Sequence, residues 1–257
     1  MASFDPYDCL VPVFVSTDAP RRIQQLGTAV FVESQSDLFL YTAAHITDEL
    51  KHGTLLVPTS DGLSPIEGYL GYIDLLPEDT RRDDNIDIAY YRLPEAFVQT
   101  LTHHFTPIST AYREVIPSAL ELTACSASGY PVTKSEKNGD VLTSEIFSFG
   151  AMAASEATYE ALALSPTSNI VLHFNRKTAV HPETGKPFPT PGLRGISGGG
   201  IFAWPREATG MPPWSSRKLV GIAHTYKERE GLIIGTTMLP LLSATSLGRM
   251  KHFEGIG

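Results

Sequence analysis

Three side chains in this sequence are of the types that together activate a hydroxyl. They are Ser197 in "PGLRGISGGGIF" (191–202), His45 in "LYTAAHIT" (40–47) and Asp87 in "NIDIAYYRL" (85–93). A serine hydroxyl alone is a weak nucleophile, so an imidazole must take its proton. A buried carboxylate must then hold that imidazole in one tautomer. His45 follows a strand-like run and two alanines, which leave room for a ring to lie over a groove. Asp87 stands between Ile86 and Ile88. Burying a carboxylate is costly unless it has partners, and a histidine N–H is such a partner.

The Gly-rich segment around Ser197 has two other readings. A phosphate cradle needs a Lys and a Ser or Thr directly after its second glycine. Ile201 and Phe202 follow the glycines here, and "IFAWP" does not open a helix as a dinucleotide loop must. "GISGG" also fits the G-x-S-x-G nucleophile elbow. That arrangement orders its residues serine, acid, histidine on a largely parallel sheet. No Asp follows Ser197, where His224 and His252 are the later histidines and Glu228 and Glu230 lie near the first.

The elements that would position these residues are short. Apolar and β-branched runs of about four to nine residues recur through the chain, separated by turn-formers: "LVPVFVS", "GTAVFVES", "DLFLYTAA", "GTLLVPT", "DIAYYRL", "ALELTACSASGY", "SEIFSFGAMAA", "NIVLHF", "GIFAW", "KLVGIAHTY" and "GLIIGTTM". With 19 prolines and 21 glycines in 257 residues, long helices are disfavoured. The pattern predicts an all-β protein. Helices are expected only over 93–105 and, after Pro240, over 239–253. A Pro-containing polar stretch, 105–120, separates two sets of about six strands, which predicts two β units with a groove between them.

Net charge is −8, and the basic pairs Arg21–Arg22 and Arg81–Arg82 read as solvated loops, so a nucleic-acid surface is not expected. The N-terminus lacks a basic and apolar leader pattern, and no apolar run reaches membrane-helix length. Cys9 and Cys125 make no disulfide framework, and no Cys/His/Asp cluster has zinc spacing. A cytoplasmic protein without metal or cofactor is expected, with no membrane partner. The remaining histidines, His52, His103, His104, His173, His181 and His252, read as surface or structural.

The blocks "GTAVFVES…LFLYTAAHIT", "DIAYYRL" and "GISGGGIF…KLVGIAHTY" resemble the three signature blocks of trypsin-like (chymotrypsin-fold) serine proteases. The order is His, Asp, Ser, with spacings of 42 and 110 residues, and the likeness spans roughly 25 to 245. It implies two packed six-stranded antiparallel β-barrels with a short C-terminal helix. Residues 1–112 would carry His45 and Asp87, and 113–257 would carry Ser197. By this resemblance the chain is a serine endopeptidase: Ser197 is the nucleophile, His45 the general base and then acid, and Asp87 the orienting carboxylate. Gly195 and Ser197 would supply the amides of an oxyanion hole. Ala223, His224, Thr225 and Tyr226 would form the substrate-binding strand, with Pro191 near the base of the primary pocket and Tyr226 narrowing its mouth. His224, where the family usually has a serine, would either contact Asp87 or line the groove. The Pro-rich loop 181–193 would shape the entrance.

One departure is informative. Ile196 precedes the nucleophile, where zymogen-activated digestive members carry an Asp. The chain therefore resembles intracellular bacterial or HtrA-like members more closely. A peptide or protein substrate is implied. Two alternatives remain: a catalytically silent peptide-binding module of the same fold, and a protease held latent until an activating partner protein releases it.

Overall fold

In a computed structural model of the chain, the residues described are 5–17, 22–72, 75, 80–81, 84–138, 141–176, 179, 189–205 and 216–250. Residues 181–188 of the Pro-rich loop, with His181, and also Arg21, Arg82 and His252, lie outside them.

Seven strands form the first antiparallel sheet: β1 (Leu10–Thr17), β2 (Arg22–Ser34), β3 (Asp37–Thr42), β4 (Gly53–Thr59), β5 (Gly62–Pro65), β6 (Tyr69–Tyr72) and β7 (Ala89–Arg92). Their order is β5-β4-β1-β2-β3-β7-β6. The edge strands β5 and β6 are consecutive in the chain, with 66–68 between them. Four steps of extended chain reach at most about 14 Å, so the sheet must curl until its edges come close. It does not close. The sheet is open and seven-stranded, which corrects the expected six-stranded barrel. Both edges are four residues long, and β5 ends at Pro65, which has no N–H to offer a further strand.

The second sheet is a ring of β8 (Ala124–Gly129), β11 (Phe147–Ala153), β12 (Asn169–His173), β13 (Gly200–Ala203), β14 (Lys218–Lys227) and β15 (Leu232–Thr237). The order is β11-β12-β15-β14-β13-β8, and β8 pairs back onto β11. A separate hairpin joins β9 (Ser135–Asn138) to β10 (Val141–Ser144). The helices are short: α1 (Ala44–Thr47), α2 (Glu95–Leu101), α3 (Glu156–Leu162) and the C-terminal α4 (Met238–Met250). The helix expected over 93–105 exists but is limited to α2, and α3 has no counterpart among the expected elements. Among the described residues no helix is long and apolar enough to cross a membrane.

Successive side chains of a strand point to opposite faces, and this divides each apolar run between two cores. Ala29 and Phe31 of β2, Leu40 of β3 and Tyr91 of β7 enter a core inside the first sheet. Their neighbours Val30, Val32, Phe39, Tyr41 and Tyr90 enter another, shared with Phe202, Leu219 and Ile222 of the ring and with Met238 and Leu241 of α4. The near-continuous apolar runs of the sequence are thus strands buried on both faces, one of them against the other sheet. The 105–120 stretch spans this seam. Ile108 bridges to Val32 of the first sheet, and Arg113 bridges to Leu219 of the second.

Candidate active site

His45 is the second residue of α1, which begins two residues after β3 ends. Asp87 lies in the loop two residues before β7. Its φ is +34°, a left-handed conformation that aspartate tolerates better than most side chains. One carboxylate oxygen accepts the His45 backbone amide at 2.9 Å. The other lies 2.7 Å from His45 Nδ1. The backbone grip explains why the acid follows this bend: its own carbonyl also accepts the Ala44 amide, at 3.1 Å. The Asp87 side chain is 4% exposed and that of His45 38%. A buried carboxylate against Nδ1 selects the tautomer with the proton on that nitrogen, leaving the Nε2 lone pair available.

A charged clamp links the segments that carry the pair. Arg81 donates to both Asp48 oxygens, at 3.1 and 3.3 Å, and to Asp84 at 2.7 Å. Asp48 stands three residues after His45, and Asp84 three before Asp87. Arg81 is therefore not the solvated loop residue that its sequence context predicts. It joins the segments that carry His45 and Asp87. From the ring, the Asn169 amide donates to the Asn85 carbonyl and the Thr236 hydroxyl to that of Ile86. Both donors are buried polar residues on strands.

The Ser197 turn is built from backbone. The Arg194 carbonyl accepts from Val132 N–H at 2.8 Å, and that of Ile196 from Gly199 N–H at 2.8 Å. The Gly195 carbonyl accepts the Thr28 hydroxyl at 2.9 Å, and that of Ser197 accepts Thr28 N–H at 2.9 Å. In a trans peptide the C=O and N–H point in opposite directions. Tying the Arg194 and Ile196 carbonyls therefore turns the Gly195 and Ser197 amides the other way. The intervening amides of Ile196 and Gly198 donate to Leu193 and Ala223. Those of Gly195 and Ser197 meet no acceptor among the described residues. Free backbone amides in a turn are the groups from which anion-binding concavities are made. Glycine is required at Gly195 (φ +100°) and Gly198 (φ +82°), where an added Cβ would lie 2.5 Å from the Tyr130 carbonyl and 1.9 Å from that of Thr28. Ile196 is buried in the ring's core, so apolar packing anchors the turn.

The Ser197 hydroxyl donates to the His224 carbonyl at 3.0 Å, and no hydrogen bond joins it to His45 in this conformation. The His224 ring is enclosed. Its Nδ1 is 2.9 Å from the Thr225 hydroxyl and 3.9 Å from Asp87, and its Nε2 is buried without a partner among the described residues. Burial outweighs the attraction of Asp87 and lowers its pKa to about 4. The His224 ring stands beside Asp87, with its side chain 2% exposed.

Beyond Ala223, β14 pairs only with β15, which leaves the other edge of Thr225–Lys227 without a strand among the described residues. Tyr226 lines a cavity of about 900 Å³ together with Phe174, Arg176, Thr190 and Glu228. Pro191 adjoins that wall without being part of it. Among the described residues no cluster of His, Cys, Asp or Glu could hold a metal ion.

Thr28, Thr42, Arg81, Asp48, Asp84, Asn169 and Thr236 are the residues of this region that sequence reasoning does not find. Thr28, Thr42, Asn169 and Thr236 are marked only as polar residues within apolar strands, and Arg81, Asp48 and Asp84 sit in polar segments that carry no signal. No known family model matches the chain, and a search of curated proteins finds no match.

Proposed function

We propose that the chain is a serine endopeptidase. The observation that carries this reading is the buried Asp87 carboxylate held 2.7 Å from His45 Nδ1. That contact leaves an imidazole nitrogen ready to accept a proton. In the proposed reaction His45 removes the Ser197 proton as Oγ attacks the scissile carbonyl carbon. The carbonyl oxygen becomes an oxyanion facing the Gly195 and Ser197 amides. His45 then gives the proton to the leaving amine, and a water activated by the same ring hydrolyses the acyl-enzyme. Asp87 stays ionised throughout and stabilises the imidazolium. Pre-aimed amides at the oxyanion are worth about 10²- to 10³-fold each.

Substrate would lie extended along Thr225–Lys227 and bond through main-chain groups, as peptides add to exposed strand edges. Tyr226 and the cavity beside it would receive a side chain. The buried Ile196 anchor favours a turn formed without proteolytic activation.

The second reading, a silent peptide-binding module, draws on the Ser197 hydroxyl, which bonds to His224 and not to His45. Catalytic hydrogen bonds are often poorly aligned before substrate binds, so the geometry fits both readings. A fluorophosphonate probe separates them. Labelling of Ser197 in the native chain, lost in Ser197→Ala and slowed at least about 10³-fold in His45→Ala, is the expected result. A native chain that binds extended peptide but never labels would establish the module. Labelling that persists at full rate in His45→Ala would remove the triad.

A further inference from the structure

We propose that Thr28 positions the Ser197 turn and sets its register against the base. This assignment rests on the peptidase reading above for its catalytic consequence, but not for its geometry.

Thr28 lies in β2 of the first sheet and is 0% exposed. It makes four hydrogen bonds: two to the Ser197 turn, one to Tyr130 and one to Thr42. Its hydroxyl donates to the Gly195 carbonyl at 2.9 Å and accepts the Tyr130 amide at 2.9 Å. Its N–H donates to the Ser197 carbonyl at 2.9 Å. Its carbonyl accepts the hydroxyl of Thr42 at 2.8 Å. Thr42 is the last residue of β3, three before His45. One buried residue therefore holds both the segment that carries the base and the turn that carries the nucleophile.

The hydroxyl does what the strand amide cannot. The Gly195–Ile196 peptide sits between the two amides that face no acceptor. Rotation of that peptide would reorient both neighbours, because it shares an α-carbon with each flanking peptide. Its amide is restrained only by Leu193, within the same turn. Its carbonyl is restrained by Thr28, across the seam. The link also fixes Tyr130, whose carbonyl accepts the Gln25 amide and lies where a Gly195 side chain would be. A hydroxyl on a β-branched stem suits this role, since χ1 of threonine in a strand has little freedom.

A residue that merely knits the sheets together would lose stability on substitution and leave turnover alone. Thr28→Val removes the hydroxyl at nearly constant shape, and Thr28→Ser keeps it. Thr237→Val is the matched control, because Thr237 is also buried and bonds the Thr167 carbonyl within the ring. We expect Thr28→Val to lower kcat on a peptide ester about 10- to 100-fold, less than outright loss of an oxyanion donor, with KM changed less than about twofold. Thr28→Ser should recover kcat to within about threefold, and Thr237→Val should leave it intact. Hydrogen exchange in the peptide covering 191–202 should accelerate in Thr28→Val only.

Unchanged kcat in Thr28→Val, or an equal fall in Thr237→Val, would overturn the assignment. If the native chain proves inactive, the peptidase reading fails by itself and exchange still decides. Deprotection confined to 191–202, repaired by serine, supports Thr28 as the positioning residue. Unchanged protection removes it.

Discussion

The two halves of the candidate site are held in different ways. On the first-sheet side, side chains do most of the holding: Asp87 grips His45, and Arg81 clamps Asp48 to Asp84. On the ring side, the Ser197 turn is held almost wholly by backbone carbonyls, with glycines admitting the close approach. The difference follows from the chemistry each half would perform. A base needs one side chain in one tautomer, which a single carboxylate can dictate. An oxyanion hole needs bare amides, and an amide is aimed by tying the carbonyl of its own peptide. Side chains over those amides would block the site they serve.

Substitutions that break one half and spare the other test this contrast. Asp87→Asn should have the largest effect, lowering kcat about 10⁴-fold. The amide keeps the shape but has only one oxygen for the His45 N–H and the ring, so one of them meets an NH₂ group. Single-turnover kinetics should locate the loss in acylation, with thermal unfolding still cooperative. A loss under tenfold would remove Asp87 from the site.

Gly198→Ala should follow. Its methyl would lie 1.9 Å from the Thr28 carbonyl at a φ of +82°, so backbone must move. Probe labelling of Ser197 should fall at least about 10²-fold. The Asp87–His45 pair should survive, visible as a persistent downfield Nδ1 proton resonance. Loss of that resonance together with labelling would mean that the halves are not held separately.

The smallest effect concerns pH. His224 has a pKa near 4 in the folded chain because burial opposes its charge, with Asp87, Asp84 and His45 facing it. In the unfolded chain it titrates near 6.5. Above that value the ring is neutral in both states. Between about 6.5 and 4 only the unfolded chain takes up the proton, so stability is present above 6.5 and is lost as pH falls through 4, by at most about 3 kcal/mol. Urea midpoints of His224→Ser should accordingly depend less on pH in this window than those of the native chain. Equal slopes would mean that water reaches the ring.

Much of the fold was legible in strand composition. Eleven apolar runs read from the sequence correspond to β1 to β4, β7, β8 and β11 to β15. The strands it missed are only four residues long, too short to stand out as runs: "GLSP" and "YLGY" at the sheet's edges, and the hairpin of β9 and β10. Edge strands bury little, so little in their composition marks them. Those same edges decide that the first sheet is open. Arg81 was misread for a related reason. A charged pair in a polar loop looks solvated until the chain brings Asp48 and Asp84 to it.

By itself the sequence determined the short apolar runs between turn-formers that commit the chain to strands. It also supplied the Ser, His and Asp types in order, and the glycines around Ser197, because each of these is a property of local residues. Tertiary structure alone decided that Asp87 is buried against His45 and that two amides of the turn are left without acceptors. It also decided that Thr28 bonds both the Ser197 turn and Thr42, three residues before His45. Those facts depend on hydrogen bonds that span as many as 167 residues of chain, and a hydrogen bond has no partner until folding supplies one.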